Sequence, residues 1–306
     1  MITISNNQVS NILSEKFAYE CVKKGIESQS KGYSYVMPRS TKSFGNNKLL
    51  ADMSALIKDM GVFGIKHYVV HNSKFSYYIY LYDFSTKELL TVLEAEEIGK
   101  YRTAAVTSLV IEKLRTASMK NLSIIGTGFQ AKQQLSSILN INSNFEDVYI
   151  YSPTEKNRNN FVKNFKNKFP DINFINCSNE KSALIQSDII ITATNSSSPV
   201  IHNEYLKDSF LIIAMGAATP YFIEIDENII RNCDFVLVDD KEQAKLESGD
   251  LLNPISKGML NWNNVFNLSE LFEYNLNKNK NKIFFKSLGI ALWDIAIAKG
   301  IYDLAN

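Results

Sequence analysis

The sequence predicts an α/β protein in which a doubly wound parallel sheet follows a smaller α+β region. Two changes in pattern support this prediction. From residue 33 to residue 93, segments rich in β-branched and aromatic residues are separated by Gly, Asn and Ser, as in an antiparallel or mixed sheet. From about residue 120, short continuous apolar runs recur roughly every 20 to 30 residues with helical segments between them, which is typical of parallel strands covered on both faces.

The first third of the chain begins and ends with helical patterns. Apolar residues at helical spacing predict one helix over residues 9–29, and a second helical pattern covers residues 94–118. The segments between them are predicted as strands: "YVMPRS", "KLLADMSALI", "GVFGIKHYVV", "FSYYIYLYDF" and "ELLTVLEAEEI".

The later apolar runs predict the strands of the parallel sheet. They are "NLSIIG", "DVYIYS", "INFINC", "SDIIITAT", "SFLIIAMG" and "DFVLVDD". A polar Asn/Lys stretch, residues 275–285, is predicted as a solvated loop. The final segment, "SLGIALWDIAIAKGIYDLA", is predicted as an amphipathic helix.

Composition and charge exclude several classes of protein. The 306 residues are 45% hydrophobic with a net charge of +1, so nothing favours binding to nucleic acid or to an anionic membrane. The N-terminus lacks a signal-peptide pattern, no apolar run would span a bilayer, and the three cysteines show no paired spacing. We therefore expect a cytoplasmic protein. His67 and His71 lie four apart in a predicted strand without further ligands, so no metal is expected.

A glycine-rich turn follows the first of the later strands. In "NLSIIGTGFQA", Gly126 would permit a tight turn, Gly128 would let a pyrophosphate approach the backbone, and Ala131 would let the following helix pack closely. The N–H groups and dipole at the start of that helix favour a phosphate. A tight turn without a ligand is the alternative, but the alternating strands and helices that follow favour a Rossmann-type dinucleotide site.

The end of the second parallel strand bears on which dinucleotide binds. An acidic residue there would hold the ribose 2′-OH of NAD, but this sequence has Ser152, with Lys156 and Arg158 nearby. Two cations would attract a 2′-phosphate, although they would also suit an ordinary solvated helix start. We therefore expect NADP(H) in preference to NAD(H).

Several motifs occur together in the order found in one protein family. "MPR", "GIKHY" and "YRTAAVTSLVIEKL" precede the glycine loop, and "SDIIITATNSSSPVI", "AMGAATPYFIEID", "FVLVDDKEQAKLESGDL" and "IFFKSLGIALWDIAIAKGIY" follow it. With these motifs the chain resembles the ornithine cyclodeaminase/mu-crystallin family from about residue 35 to the C-terminus. The resemblance implies a substrate and dimerisation domain, residues 1–118 completed by the helix 287–306, and a Rossmann domain, residues 119–286. It also implies a homodimer.

The resemblance also implies roles for three cationic side chains. Arg39 and Arg102 match the arginines that hold the α-carboxylate of the substrate, a task that suits the planar guanidinium group. Lys66 matches the active-site lysine, which would both bind the substrate and act in catalysis: its pKa would fall beside two guanidinium groups, favouring proton exchange with a substrate nitrogen. The predicted dinucleotide-binding residues are Gly126, Thr127, Gly128, Phe129, Gln130, Ala131, Ser152, Thr154, Arg158, Thr192, Thr194, Met215, Gly216 and Ser287.

One position departs from the ornithine-cyclising members of this family. They carry an aspartate two residues after the glycine of the "GA" block, and this chain has Ala218 there. Alanine cannot hold a distal ammonium group. Asp226 is not a replacement, because it is predicted to cap the following helix.

These observations favour an NAD(P)H-dependent reductase that acts on a small imine or ketimine carboxylate, or the reverse amino-acid dehydrogenase reaction. Three alternatives remain open: a cyclodeaminase-type lyase that uses bound NAD⁺, an amino-acid synthase or dehydrogenase of specialised metabolism, and an NADP(H)-dependent binding protein of the crystallin type. The expected partner is a small amino-acid or imine carboxylate.

Overall fold

A computed structural model describes residues 2–45, 48–72, 74–142, 144–216, 218–273 and 281–306. The chain divides into two compact units. The first, called here the mixed-sheet unit, comprises Met1–Leu109, Ser269–Asn275 and Gly289–Asn306; the second, the parallel-sheet unit, comprises Val110–Leu268 and Leu276–Leu288. Within the described ranges, no helix is both long enough and apolar enough to cross a membrane.

The elements up to Leu114 are, in chain order, β1 (Ile2–Ile4), α1 (Asn6–Ile12), α2 (Glu15–Ser30), β2 (Ser34–Ser43), β3 (Leu49–Ile57), β4 (Val62–His71), β5 (Lys74–Asp83), β6 (Leu89–Glu94) and α3 (Glu96–Leu114). The elements that follow are β7 (Asn121–Ile125), α4 (Phe129–Ile141), β8 (Asp147–Tyr151), α5 (Glu155–Lys168), β9 (Asn173–Asn176), α6 (Glu180–Leu184), β10 (Ile189–Thr192), β11 (Phe210–Ala214), α7 (Glu227–Arg231), β12 (Phe235–Val238), α8 (Lys241–Glu247), α9 (Gly249–Ser256), β13 (Val265–Asn267), α10 (Glu270–Glu273), β14 (Lys282–Lys286) and α11 (Ala291–Ala305).

The mixed-sheet unit contains a six-stranded sheet in the order β1-β6-β5-β4-β3-β2. β1 runs parallel to β6, and the other neighbours are antiparallel. α11 packs against α2 and against strands β2 to β5. Along β4 and β5, buried residues alternate with residues that face the other side of the sheet, so one face forms the core and the other stays open.

The predicted single helix over residues 9–29 is wrong, because two helices occupy this region. α1 ends at Ile12, and α2 begins at Glu15 after Ser14, whose hydroxyl accepts a hydrogen bond from the Phe17 N–H at 3.2 Å. Serine is a strong helix N-cap, and its local bond interrupts an apolar spacing that is compatible with a continuous helix.

The parallel-sheet unit confirms the predicted doubly wound fold. Its eight strands lie in the order β13-β12-β14-β11-β10-β7-β8-β9, and every pairing is parallel. The three strands β10, β11 and β12 are buried along their whole length. Continuous apolarity therefore identified strands covered on both faces.

The predicted loop over residues 275–285 is partly wrong. Residues 274–280 lie outside the described part of the chain, but Lys282–Lys286 forms β14, which inserts between β11 and β12. Only three apolar residues lie between two lysines in this strand, and the second lysine, Lys286, is fully buried. Because lysines stand at both ends of β14, the sequence pattern did not reveal this central strand.

The final helix is less amphipathic than its sequence suggests. Every residue from Ala291 to Ala298 is buried, and this stretch includes Asp294, which has no exposed surface. Exposed residues are confined to the last turn, where Leu304 is 65% exposed. A carboxylate buried to this degree requires a cationic or hydrogen-bonding partner.

Candidate active site

Lys66 and Asp294 form a buried ion pair in the mixed-sheet unit. Lys66 lies on the core-facing side of β4, and Asp294 lies in the first turn of α11. The lysine Nζ donates a hydrogen bond to Asp294 Oδ1 at 2.6 Å. The Lys66 side chain is 3% exposed and the Asp294 side chain 0%. Because α11 packs directly on the sheet, the pair is removed from bulk solvent.

The surroundings of Lys66 lower its pKa from the usual 10.5 to about 8. Burial is the largest cause, since an ammonium group loses its hydration, and the nearby guanidinium groups of Arg102 and Arg39 lower the pKa further. Asp294 acts in the opposite direction, through its charge and its hydrogen bond. The outcome is a lysine that can both donate and accept a proton near neutral pH.

The two predicted carboxylate-binding arginines converge on one backbone position. Arg39 Nη2 donates to the Gly289 carbonyl oxygen at 3.0 Å, and Arg102 Nε lies 3.8 Å from Asp294 Oδ2. Gly289 has a φ of +80°, and a Cβ added there would meet Arg102 Nη1 at 2.2 Å. Only glycine tolerates both the backbone conformation and this approach. Gly289 therefore leaves the space that the Arg102 guanidinium occupies, and its carbonyl oxygen binds Arg39.

An aromatic side chain covers the lysine. The Lys66 Nζ lies 5.2 Å from the centroid of the Tyr77 ring, which itself lies 5.3 Å from the Tyr68 ring on the neighbouring strand. Burial raises the pKa of Tyr77 to about 12, so its hydroxyl stays protonated. The two rings, tilted by 40° to each other, form an aromatic wall beside the cationic residues.

Sequence reasoning missed Asp294, Gly289 and Tyr77. Asp294 stands in the "FKSLGIALWD" block, but its apolar helix gave no sign that a carboxylate would reach a lysine 228 residues earlier. A single acidic residue inside an otherwise apolar helix was the available signal. The positive φ of Gly289 has no counterpart in the sequence pattern.

The glycine loop of the parallel-sheet unit forms a tight turn that leads into an open helix start. Gly126, directly after β7, has a φ of +113°, and a Cβ there would lie 2.5 Å from the Ala193 carbonyl oxygen. Gly128 is the N-cap of α4, and a Cβ at that position would meet nothing within 4 Å. A helix start without a capping side chain, open to the outside, fits a pyrophosphate group. Phe129 and Gln130 are exposed in the first turn, and Ala131 is buried.

The residues at the end of β8 hold the loop in shape. Ser152 Oγ and Thr127 Oγ1 lie 2.9 Å apart in a hydrogen bond that joins β8 to the glycine loop. Arg158 is buried rather than solvated: Nη1 donates to the Ser152 carbonyl at 2.6 Å and Nε donates to Asn176 Oδ1 at 3.0 Å. Thr154 is exposed at the N-cap of α5, without a side-chain cap bond.

The remaining predicted cofactor residues lie at the carboxyl ends of central strands in the same unit. Thr192 ends β10 and is buried, Thr194 follows it, and Met215 and Gly216 follow β11. The Ser287 hydroxyl, after β14, donates to Asp239 Oδ2 at 3.1 Å. Doubly wound sheets bind ligands at this edge.

The structure also places Ala218, which stands where ornithine-cyclising members have an aspartate, and the nearby Asp226. Ala218 is half-buried and packs against the apolar core of the parallel-sheet unit. Asp226 caps α7 as predicted, since its Oδ1 accepts a hydrogen bond from the Asn228 N–H at 2.8 Å. The Asp226 carboxylate is thus engaged in capping α7.

The sequence as a whole matches the ornithine cyclodeaminase/mu-crystallin family over residues 2–306. The chain belongs to this family. The resemblance inferred from its motifs is thereby confirmed, and it extends to the N-terminal helices as well.

Individual relatives within the family are reductases. The Delta(1)-pyrroline-2-carboxylate reductase of Bacillus thuringiensis subsp. konkukian is 30% identical over 319 residues, covering 100% of this chain and 97% of the relative. The ketimine reductase mu-crystallin of Macropus fuliginosus is 32% identical over 227 residues, covering 74% and 68%. A solved structure of the Thermococcus litoralis Delta(1)-pyrroline-2-carboxylate reductase, in complex with NADH and L-proline, has a TM-score of 0.90 at 25% identity, covering 100% and 97%. These relatives confirm the predicted class, an oxidoreductase of this family.

Proposed function

We propose that this protein is an NAD(P)H-dependent reductase of a small imine carboxylate, such as a cyclic ketimine carboxylate of the 1-pyrroline-2-carboxylate type. The observation that carries the proposal is the buried Lys66–Asp294 pair beside two arginines and an aromatic wall. The names of the relatives agree with it.

The substrate carboxylate would be held by Arg39 and Arg102. Arg39 uses one Nη to bond Gly289, and the Nε of Arg102 faces Asp294, while 14% of the Arg102 side chain remains exposed, through which its guanidinium group would contact a ligand. Two guanidinium groups around one anion give a charge-assisted, oriented contact. The flat rings of Tyr68 and Tyr77 suit a small planar imine ring better than a long charged side chain.

Lys66 would supply the proton of the reaction. Reduction adds a hydride to the imine carbon and a proton to its nitrogen, giving a secondary amine. With a pKa of about 8, Lys66 is mostly protonated at neutral pH and can release its proton to the substrate nitrogen. The neutral amine that remains is stabilised by burial, and Asp294 orients it. In the reverse direction the neutral lysine would accept the proton.

A bound NAD(P)H would supply the hydride. The residues that would hold it are the glycine loop with the start of α4, Ser152 and Thr154 after β8, and the residues at the ends of β10, β11 and β14. We propose NADPH as the preferred form, because Ser152 stands where a carboxylate would repel a 2′-phosphate and the buried Arg158 guanidinium donates a hydrogen bond to the Ser152 carbonyl. The role of Arg158 would then be to fix the loop rather than to project a cation into solvent.

The test uses purified protein with NADPH or NADH and a panel of cyclic imine carboxylates and of 2-oxo acids with amines. Oxidation of NADPH, faster than oxidation of NADH, is the expected result. Ornithine serves as the second arm of the experiment. Release of ammonia from ornithine without net change in cofactor would support a lyase instead, and inactivity across the panel with retained dinucleotide binding would support a binding protein.

We also propose that two copies pair through the open face of the six-stranded sheet. The side chains on this face include Tyr35, Met37, Ile65, Val69 and Tyr78, each between 37% and 67% exposed. A contiguous apolar sheet face of this kind is typical of an interface. Light scattering should show a dimer for the wild type and a monomer for Ile65→Asp, whereas Leu304→Asp, at an exposed position on α11, should remain dimeric. A monomeric wild type contradicts the proposal.

A further inference from the structure

A buried carboxylate joins two of the loops at the carboxyl edge of the parallel sheet. Glu224 has no exposed surface. Its Oε1 accepts hydrogen bonds from the Thr194 N–H at 2.8 Å and the Thr194 hydroxyl at 2.7 Å, and its Oε2 accepts one from the Gly216 N–H at 2.8 Å. One side chain therefore fixes the loop after β10 against the loop after β11.

A second pair of buried charges holds Glu224 in place. Asp250 Oδ1 accepts hydrogen bonds from the backbone N–H groups of Glu224 and Ile225, at 2.8 and 3.1 Å. Its Oδ2 lies 2.8 Å from Lys286 Nζ, and both of these side chains are at most 1% exposed. Lys286 is the last residue of β14, the strand beside β11. The network thus spans the carboxyl ends of three adjacent strands.

Burying such a network has a large unfavourable desolvation free energy. Burying two carboxylates with one ammonium group costs more desolvation than an apolar core would, so it does not by itself explain stability. Its location supplies a reason: it fixes backbone N–H groups along the edge where a doubly wound sheet binds its ligand. Thr194 and Gly216 are both among the predicted cofactor-binding residues.

We propose that Glu224 is a positioning residue for the dinucleotide, which acts by holding the Thr194 and Gly216 loops in the conformation that receives the cofactor. The inference rests on the proposed function, since it takes the ligand to be NAD(P)H. It assigns a cofactor-related role to a residue outside the glycine fingerprint.

The test compares two carboxylates, one at each end of β10, that accept hydrogen bonds from backbone N–H groups. Glu224→Gln keeps the shape of the side chain but turns one acceptor into a donor facing a backbone N–H. Asp188→Asn is the matched control: Asp188 precedes β10, accepts the Lys120 and Asn121 N–H groups at 2.9 Å, and pairs with Lys207 at 2.7 Å. Each substitution should lower the melting temperature, because each removes a carboxylate that bonds backbone N–H groups.

The two variants should differ in affinity for NADPH, measured by fluorescence titration without substrate. We expect the Kd to rise at least about tenfold in Glu224→Gln, the range expected when a buried donor loses its acceptor, and to stay within about twofold of wild type in Asp188→Asn. In steady-state kinetics the KM for NADPH should rise in Glu224→Gln while the KM for the imine carboxylate is unchanged.

A second variant covers the case in which Glu224→Gln does not fold. Glu224→Asp keeps the charge but is one methylene shorter, so it cannot reach Thr194 and Gly216 together, and we expect an intermediate loss of affinity. An unchanged NADPH Kd in a folded Glu224 variant, or an equal loss in Asp188→Asn, would overturn the inference alone. Wild-type protein that binds neither NADPH nor NADH would overturn the proposed function and the inference with it.

Discussion

Replacing Asp294 by asparagine should lower the pH above which the enzyme loses its imine reductase activity. Asp294→Asn keeps the volume of the side chain in α11 but removes the negative charge 2.6 Å from the Lys66 Nζ. The carboxylate is the group that raises the pKa of Lys66, opposing burial and the two arginines. Without it, the ammonium form of Lys66 is left buried beside two other cations.

The size of the change follows from these opposing effects. In the wild type, the drop in pKa from 10.5 to about 8 corresponds to about 3 kcal/mol in favour of neutral lysine, at about 1.36 kcal/mol per pH unit. An opposite charge at hydrogen-bonding distance typically shifts a pKa by about 1 to 3 units. We therefore expect Lys66 to titrate between about pH 5 and pH 7 in Asp294→Asn.

The assay is the pH dependence of kcat/KM for NADPH-dependent imine reduction. Because reduction needs the protonated lysine, kcat/KM should fall as the pH rises through about 8 in the wild type and at a pH about 1 to 3 units lower in Asp294→Asn. Any titration of the substrate imine is the same for the wild type and for Asp294→Asn, so it cancels when the two profiles are compared. Asp303→Asn is the control, since Asp303 forms its ion pair with Lys299 on the same helix and not with Lys66, and it should leave the profile unchanged. If the falling limb stays at the same pH in Asp294→Asn, the assignment of Lys66 as the proton donor is refuted.

Four further substitutions test the site. Relative to the wild type, Lys66→Met should lower the slope of unfolding free energy against pH by up to about 1.4 kcal/mol per pH unit between about pH 8 and pH 10.5, because in that range the unfolded wild-type chain binds a proton at Lys66 that the folded chain does not; urea unfolding of both proteins across the range measures this difference. Arg102→Ala should lower kcat/KM by about 30- to several-thousand-fold with NADPH affinity unchanged; altered melting with normal kinetics would instead indicate a structural ion pair. Gly289→Ala should raise the KM for the imine carboxylate by about tenfold or more, because its Cβ displaces Arg102, and titration should show unchanged NADPH binding. Ser152→Asp should shift the ratio of kcat/KM for NADPH to that for NADH by at least about tenfold towards NADH, since the new carboxylate repels a 2′-phosphate; an unchanged ratio contradicts the proposed preference.

The sequence predicted those parts of the protein that depend on local pattern. Continuous apolar runs identified the central strands, and the glycine spacing identified the turn that Gly126 makes. Pattern could not reveal pairings over long separations. The buried Asp294 reaches Lys66 through the packing of α11 on the sheet, and Glu224 bonds Thr194 across a separation of 30 residues. The strand β14 was missed for a related reason, because the charge of Lys286 is neutralised by Asp250, a residue distant in sequence.

The separation between Lys66 and Asp294 has a consequence for how the protein is made. Synthesis proceeds from the N-terminus at about 5 to 20 residues per second, so the 228 residues between the two partners take roughly 10 to 45 s to appear. For most of that time the residues of strands β2 to β6 have been synthesised, but the carboxylate that compensates the buried lysine has not. We therefore expect the lysine face of the sheet to stay solvated until α11 emerges. Nascent chains arrested before residue 294 should be sensitive to protease across β4, even though their sheet residues are complete.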